Sequence, residues 1–104
     1  MSSQQVVVQV IYPPSAASSF DMDYYLKSHV PMVEKRWRPQ GLQSCTVITG
    51  EKDSGYHVQT LMVWKNMVSL ENAEGVDAVR EDIKNFTEVA PYRWVGHVPC
   101  QGKV

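Results

Sequence analysis

Phe20-Asp21-Met22-Asp23-Tyr24-Tyr25-Leu26-Lys27-Ser28-His29-Val30-Pro31-Met32-Val33-Glu34-Lys35-Arg36-Trp37 is the stretch against which the rest of the chain is arranged. At about 100° per residue, Met22, Tyr25, Leu26, His29, Val33, Arg36 and Trp37 fall within roughly 60° of one direction. The stretch predicts an amphipathic helix whose buried stripe contains a histidine. Asp21 is a good N-cap, and Phe20 before it is placed to staple onto Tyr25. Pro31 removes the hydrogen bond to the Lys27 carbonyl and bends the axis. Tyr24 is turned outward, which suits helix packing or a dimer contact.

Working outward, Gln4–Tyr12 is rich in β-branched residues and ends at Pro13-Pro14, which predicts a first strand. Its apolar residues occupy both parities, Val6, Val8 and Val10 against Val7 and Ile11, so both faces need cover. Leu42–Gly50 and Tyr56–Trp64 flank the charged turn Glu51–Gly55 and form an antiparallel hairpin. On the second of these strands Val58, Thr60, Met62 and Trp64 share a face. Ser69 is placed to cap a second helix from Leu70 to about Phe86, with Gly75 a weak point inside it. Tyr92–Val98 is a last strand, with Trp94 on one face and Arg93, Val95 and His97 on the other.

The order β-α-β-β-α-β is the ferredoxin-like arrangement, an α+β fold with two helices on one face of a four-stranded antiparallel sheet. Right-handed crossovers put the first and third strands in the centre. The second sheet face is then left bare although it carries large apolar residues. The expectation is a homodimer that packs sheet against sheet.

Composition narrows the function. The chain has 104 residues, one domain's worth, with residues 4–98 as core and 99–104 as a tail. Ten basic and eleven acidic residues give a formal charge of -1, so no basic field for nucleic acid is present. No apolar run approaches the roughly 18 residues of a membrane span, and Met1-Ser2-Ser3 does not begin a secretory signal. A cytoplasmic protein is expected. Cys45 and Cys100 have no partner spacing for zinc, and His29, His57 and His97 are dispersed, so no metal is expected. The two thiols belong to opposite sheet edges and should be reduced. Gly-rich nucleotide loops and Gly-x-Ser-x-Gly are absent, and no cofactor is expected.

The run Phe20-Asp21-Met22-Asp23-Tyr24-Tyr25-Leu26 followed by His29-Val30-Pro31-Met32-Val33 resembles the signature helix of the EthD-like family, of the dimeric α+β-barrel superfamily. Asp82-Ile83-Lys84-Asn85-Phe86-Thr87, with Pro91 beyond, is similar to that family's exit from its second helix. The resemblance spans about Gln5 to Val98. It implies a ferredoxin-like protomer that pairs through its sheet and holds a ligand cavity between sheet and helices. It also implies a setting beside oxidative degradation or, as in fungal relatives, in tailoring aromatic polyketides of secondary metabolism.

The candidate chemistry centres on His29, which a partly desolvated site could tune for proton transfer. A neutral core histidine satisfied by a backbone carbonyl or a tyrosine is the other reading. Tyr25, one turn earlier on the same side, could orient the imidazole or a substrate carbonyl. Met62, Trp64, Phe86 and Trp94 offer apolar surface to an aromatic ligand, and His97 could join His29 as an acid/base pair. The preferred expectation is a cofactor-independent, lyase-type enzyme acting on an aromatic or polyketide-like molecule by decarboxylation, dehydration or cyclisation. The alternatives are a non-catalytic carrier for an oxidative pathway and a cofactor-free monooxygenase.

Overall fold

The computed structural model describes residues 4–102; the Met1–Ser3 lead and the last two residues of the expected tail lie outside the described residues. Strands β1 (Val6–Tyr12), β2 (Leu42–Thr49), β3 (Val58–Trp64) and β4 (Tyr92–His97) form one antiparallel sheet in the order β2-β3-β1-β4. The first and third strands are central, as the crossover rule requires. The register aligns Val6, Val8 and Val10 with Trp64, Met62 and Thr60. These residues carry the buried parity, so β1 and β3 bury alternate side chains under the helices. All of β4 is exposed, in keeping with an edge strand. Cys45 and Cys100 are free thiols.

Helix α1 is continuous but not uniform. It runs as α-helix over Met22–Tyr24, as a π-helical turn over Tyr25–His29, and as α-helix again over Val30–Trp37. Asp21 caps it, accepting from the Tyr24 N–H at 3.0 Å, and the Phe20 ring meets Tyr25 edge-on at 5.1 Å. The wide turn ends where Val30 N–H reaches back to the Tyr25 carbonyl, directly ahead of Pro31. Tyr25, His29, Val33 and Trp37 are the buried residues, four apart throughout. Steps of four overshoot one face by about 40° in a regular α-helix. A five-residue turn removes part of that rotation and keeps the four in one seam. The seam is narrower than the periodicity predicts, because Leu26 is 47% exposed.

The second helical region departs from expectation. Instead of one helix from Leu70 to Phe86 capped by Ser69, there are two: α2 (Met67–Glu71) and α3 (Val76–Asp82), followed by a 3-10 turn at Ile83–Asn85. Asn66, not Ser69, is the cap of α2; its side chain accepts from the Ser69 N–H at 2.8 Å. The break falls at Gly75, whose φ of 88° is left-handed. Two contacts hold the break against the end of α1: Trp37 Nε1 donates to the Glu74 carbonyl at 2.8 Å, and Glu74 N–H donates to Gln40 Oε1 at 2.7 Å. Beyond α3 the chain returns to α1 through the Asp21 N–H and the Phe86 carbonyl, 2.7 Å apart.

Two apolar clusters occupy the helix side of the sheet. One gathers Val6, Val8, Val33, Trp37, Leu42, Met62 and Trp64, and the other Tyr12, Ala16, Tyr25, Val58 and Phe86. Across the sheet, Trp94 is 62% and Tyr92 59% exposed. Among the described residues no helix is long and apolar enough to cross a membrane.

Candidate functional site

Members of both clusters line a cavity of about 630 Å³ between sheet and helices. Its floor includes Val10, Tyr12, Thr60 and Met62; α1 contributes Tyr25, His29, Val33 and Trp37; α3 and the chain beyond it form the remaining wall. The size and the mostly apolar lining suit a small organic ligand.

His29 sits in this wall, 5% exposed. Its ring stacks on Tyr25 (centroids 5.5 Å apart, planes at 16°) and is flanked by Phe86 at 4.6 Å. Nδ1 lies 2.8 Å from Asp82 Oδ2. Burial is the larger influence on His29 and lowers its pKa from 6.5; the hydrogen bond and charge of Asp82 act in the opposite direction without overcoming it. Burial alone would raise the carboxyl of Asp82, but hydrogen bonds from Tyr24, His29 and Asn85 together hold it below 3.8. Both shifts point to the same state at neutral pH, a neutral imidazole beside an ionised carboxylate. A carboxylate only accepts, so Nδ1 carries the proton and Nε2 presents its lone pair. Nε2 has no hydrogen-bond partner among the described residues.

Tyr24 completes the arrangement. Its hydroxyl donates to Asp82 Oδ1 at 2.6 Å, and Asn85 Nδ2 donates to the same oxygen at 2.9 Å. The outward turn of Tyr24 is thus a packing contact between helices. The Tyr25 hydroxyl is occupied differently: it pairs with Thr60 Oγ1, and burial pushes its pKa up to about 12. The Tyr12 hydroxyl, also on the cavity wall, is raised by burial and by Tyr25. Both phenols are neutral hydrogen-bonding groups at neutral pH.

The other sequence candidates separate. Met62 lines the cavity floor. Phe86 lies behind His29 and Tyr25, buried, and packs rather than borders the space. Trp64 is fully buried beside Trp37 at 5.6 Å, and its indole N–H has no partner. Trp94 pairs with Gln9, on the parity opposite to Val8 and Val10, and so faces away from the cavity. His97 shares the helix-side parity with Arg93 but pairs with Val6, at the far end of β4, and is exposed outside the cavity. The structure therefore does not bring His29 and His97 together. It brings Asp82 instead, 53 residues from His29, with Tyr24 and Asn85 on its other oxygen, while Thr60 pairs with Tyr25. Asp82 was visible only as part of the Asp82–Thr87 run.

Among the described residues no three His, Cys, Asp or Glu side chains converge as a metal site would require. Cys45 borders the cavity, but burial first and then Glu34 push its thiol up to about 11, away from thiolate chemistry.

An EthD-like protein from Ralstonia eutropha JMP134 superposes with a TM-score of 0.79 at 23% identity, over 96% of each chain. This chain has the EthD-like fold. A second EthD family protein, from Bacillus halodurans C-125, matches at TM-score 0.66 and 20% identity, over 89% of this chain and 96% of that one. The EthD-like fold extends to SnoaB, a cofactor-independent oxygenase from Streptomyces nogalater, at TM-score 0.61 and 13% identity over 99% and 98% of the two chains. No protein-family model and no curated protein matches the sequence.

Proposed function

We propose that the protein is a small enzyme of the EthD-like family, acting on an aromatic or polyketide-like molecule by proton transfer, with His29 as base. The observation that carries this reading is the part-buried His29–Asp82 pair, whose His29 lines an apolar cavity with Nε2 left over. Nε2 takes a proton from the substrate, and the Asp82 carboxylate stabilises the imidazolium that results. The same nitrogen then returns the proton, to carbon after loss of carbon dioxide or to a leaving hydroxyl. Decarboxylation, dehydration and cyclisation each need only this exchange in a water-poor site, and lyase chemistry is the preferred class. Tyr25 supports the imidazole through stacking, and Met62 is proposed as a substrate contact. A dimer formed through the open sheet face, in the cytoplasm, belongs to the same reading.

A cofactor-free oxygenase is the second reading, favoured by the fold shared with SnoaB. It begins with the same proton abstraction and then needs dioxygen as co-reactant. Assays on a panel of hydroxylated aromatic acids, with and without oxygen, separate the two. Anaerobic turnover supports lyase chemistry, and oxygen consumption matched to product supports the oxygenase. His29→Ala should reduce turnover by about 10²-fold or more in either case. Full activity in the folded variant would refute the role of His29, and binding without conversion by the wild type would leave a carrier.

A further inference from the structure

One row of side chains crosses the cavity floor from end to end. Thr60, Val10 and Arg93 are register partners on β3, β1 and β4, and all three line the cavity. Neighbouring strands lie about 4.8 Å apart, so the backbones of Thr60 and Arg93 are separated by about 10 Å. At the Thr60 end stand the Tyr25 hydroxyl and, stacked on it, His29. At the other end stands a guanidinium.

Three cations border the cavity: Arg80, Lys84 and Arg93. Arg80 pairs with Asp77 at 3.5 Å, and Lys84 pairs with Glu81 at 3.0 Å. Arg93 has no ion-pair partner among the described residues. Its strand parity points it to the helix side, over the same floor as Val10. A guanidinium there presents a planar fork of donors matched to a carboxylate. Glu88 on the same rim disfavours a ligand with two negative groups.

We propose that Arg93 determines substrate class: it receives the carboxylate of an elongated aromatic monoacid whose other end lies at Tyr25, Thr60 and His29. This rests on the reading of the cavity as an aromatic-ligand site. The carboxylate held by Arg93 is a handle, remote from the proton-transfer end and not the group that reacts, so of the three proposed reactions such a monoacid fits dehydration or cyclisation and not decarboxylation. A specificity-determining arginine on an edge strand also explains a cation that has no ion-pair partner among the described residues.

The test compares 2-naphthoate with its neutral isostere 2-naphthamide, titrated calorimetrically at low ionic strength into wild type, Arg93→Gln, Arg93→Lys and Arg80→Gln. Arg93 is exposed, so solvent screens its pairing, and a preference of about fivefold for the acid is expected in the wild type. That ratio should fall to near one in Arg93→Gln, survive in part in Arg93→Lys, persist in Arg80→Gln, and shrink with added salt. An unchanged ratio in folded Arg93→Gln, or a ratio that follows Arg80, overturns the assignment to Arg93 while the aromatic cavity stands. Binding of neither ligand by the wild type overturns the aromatic cavity and the proposal with it.

Discussion

Asp82 governs what His29 can do, because it opposes the burial that makes the imidazole a weaker base. Its carboxylate raises the His29 pKa against the larger effect of burial. In Asp82→Asn the pKa of His29 should therefore fall further below 6.5, and NMR titration of the ring nitrogens reads that shift directly. Turnover should fall with it, and the acid limb of the pH profile should move to lower pH. An unmoved His29 titration would show the pair to be electrostatically silent. The same shifts fix the acid stability. His29 is depressed in the fold, so its contribution is present above 6.5 and is lost as pH falls through its lower folded value. Asp82 contributes above 3.8 and is lost below that in the same sense. Tyr25 works in the other direction: its raised pKa stabilises the fold below pH 10, and that stabilisation is lost as pH rises towards about 12. Denaturant melts across these windows should show wild type losing stability at both ends; Asp82→Asn should lack the loss below 3.8 but lose more than wild type as pH falls below 6.5, because its His29 is depressed further.

At the scale of the elements, the break at Gly75 positions Asp82. A helix running unbroken from Leu70 would not turn at the Trp37 and Gln40 contacts to Glu74, and α3 starts from that anchor. In Gly75→Ala the new Cβ would stand 2.5 Å from Arg36 Cδ, in a flexible side chain that can withdraw, but the φ of 88° remains strained. The expected cost is about 1–2 kcal/mol, a loss of several degrees in thermal melting. Because α3 carries Asp82, the substitution should also weaken the His29 shift, which a merely local defect would not do. What could be read from sequence follows the range of the forces involved. Strand parity is local, a matter of alternate Val, Thr, Met and Trp, and β1 and β3 bury the side chains that alternation predicts. The Asp21 cap and the Phe20 staple are local also. The steps of three and four at Ala73, Val76, Val79, Ile83 and Phe86 masked the break at Gly75, since a glycine's left-handed φ leaves no mark on apolar spacing. Asp82 escaped for another reason: it meets His29 only after the sheet has brought two helices together, and on its own helix it looks like any solvent-facing carboxylate.

For the molecule as a whole, the unresolved imbalance is its bare sheet face. Val7, Gln9 and Ile11 on β1 align with Val63, Leu61 and Gln59 on one side and with Gly96, Trp94 and Tyr92 on the other, a largely apolar surface on the face opposite the helices. Trp94 stands in the middle row, opposite Gln9 and beyond it Leu61, and most of its surface meets water in the single chain. Exposed aromatic area of this kind favours association, and a second copy of the same face is the partner that closes with two-fold symmetry. Trp94→Glu places a charge at the centre of such a contact, where its desolvation is uncompensated. It should therefore convert a dimer into a monomer under light scattering at micromolar concentration. The cavity lies on the other side of the sheet, so the monomeric variant should keep its fold by circular dichroism and the His29–Asp82 pair by NMR titration. A wild type that is already monomeric would remove the two-fold model and leave the face for a different partner. Loss of the His29 shift on monomerisation would instead show that pairing the sheets shapes the cavity floor from behind, through the shared strands β1 and β4.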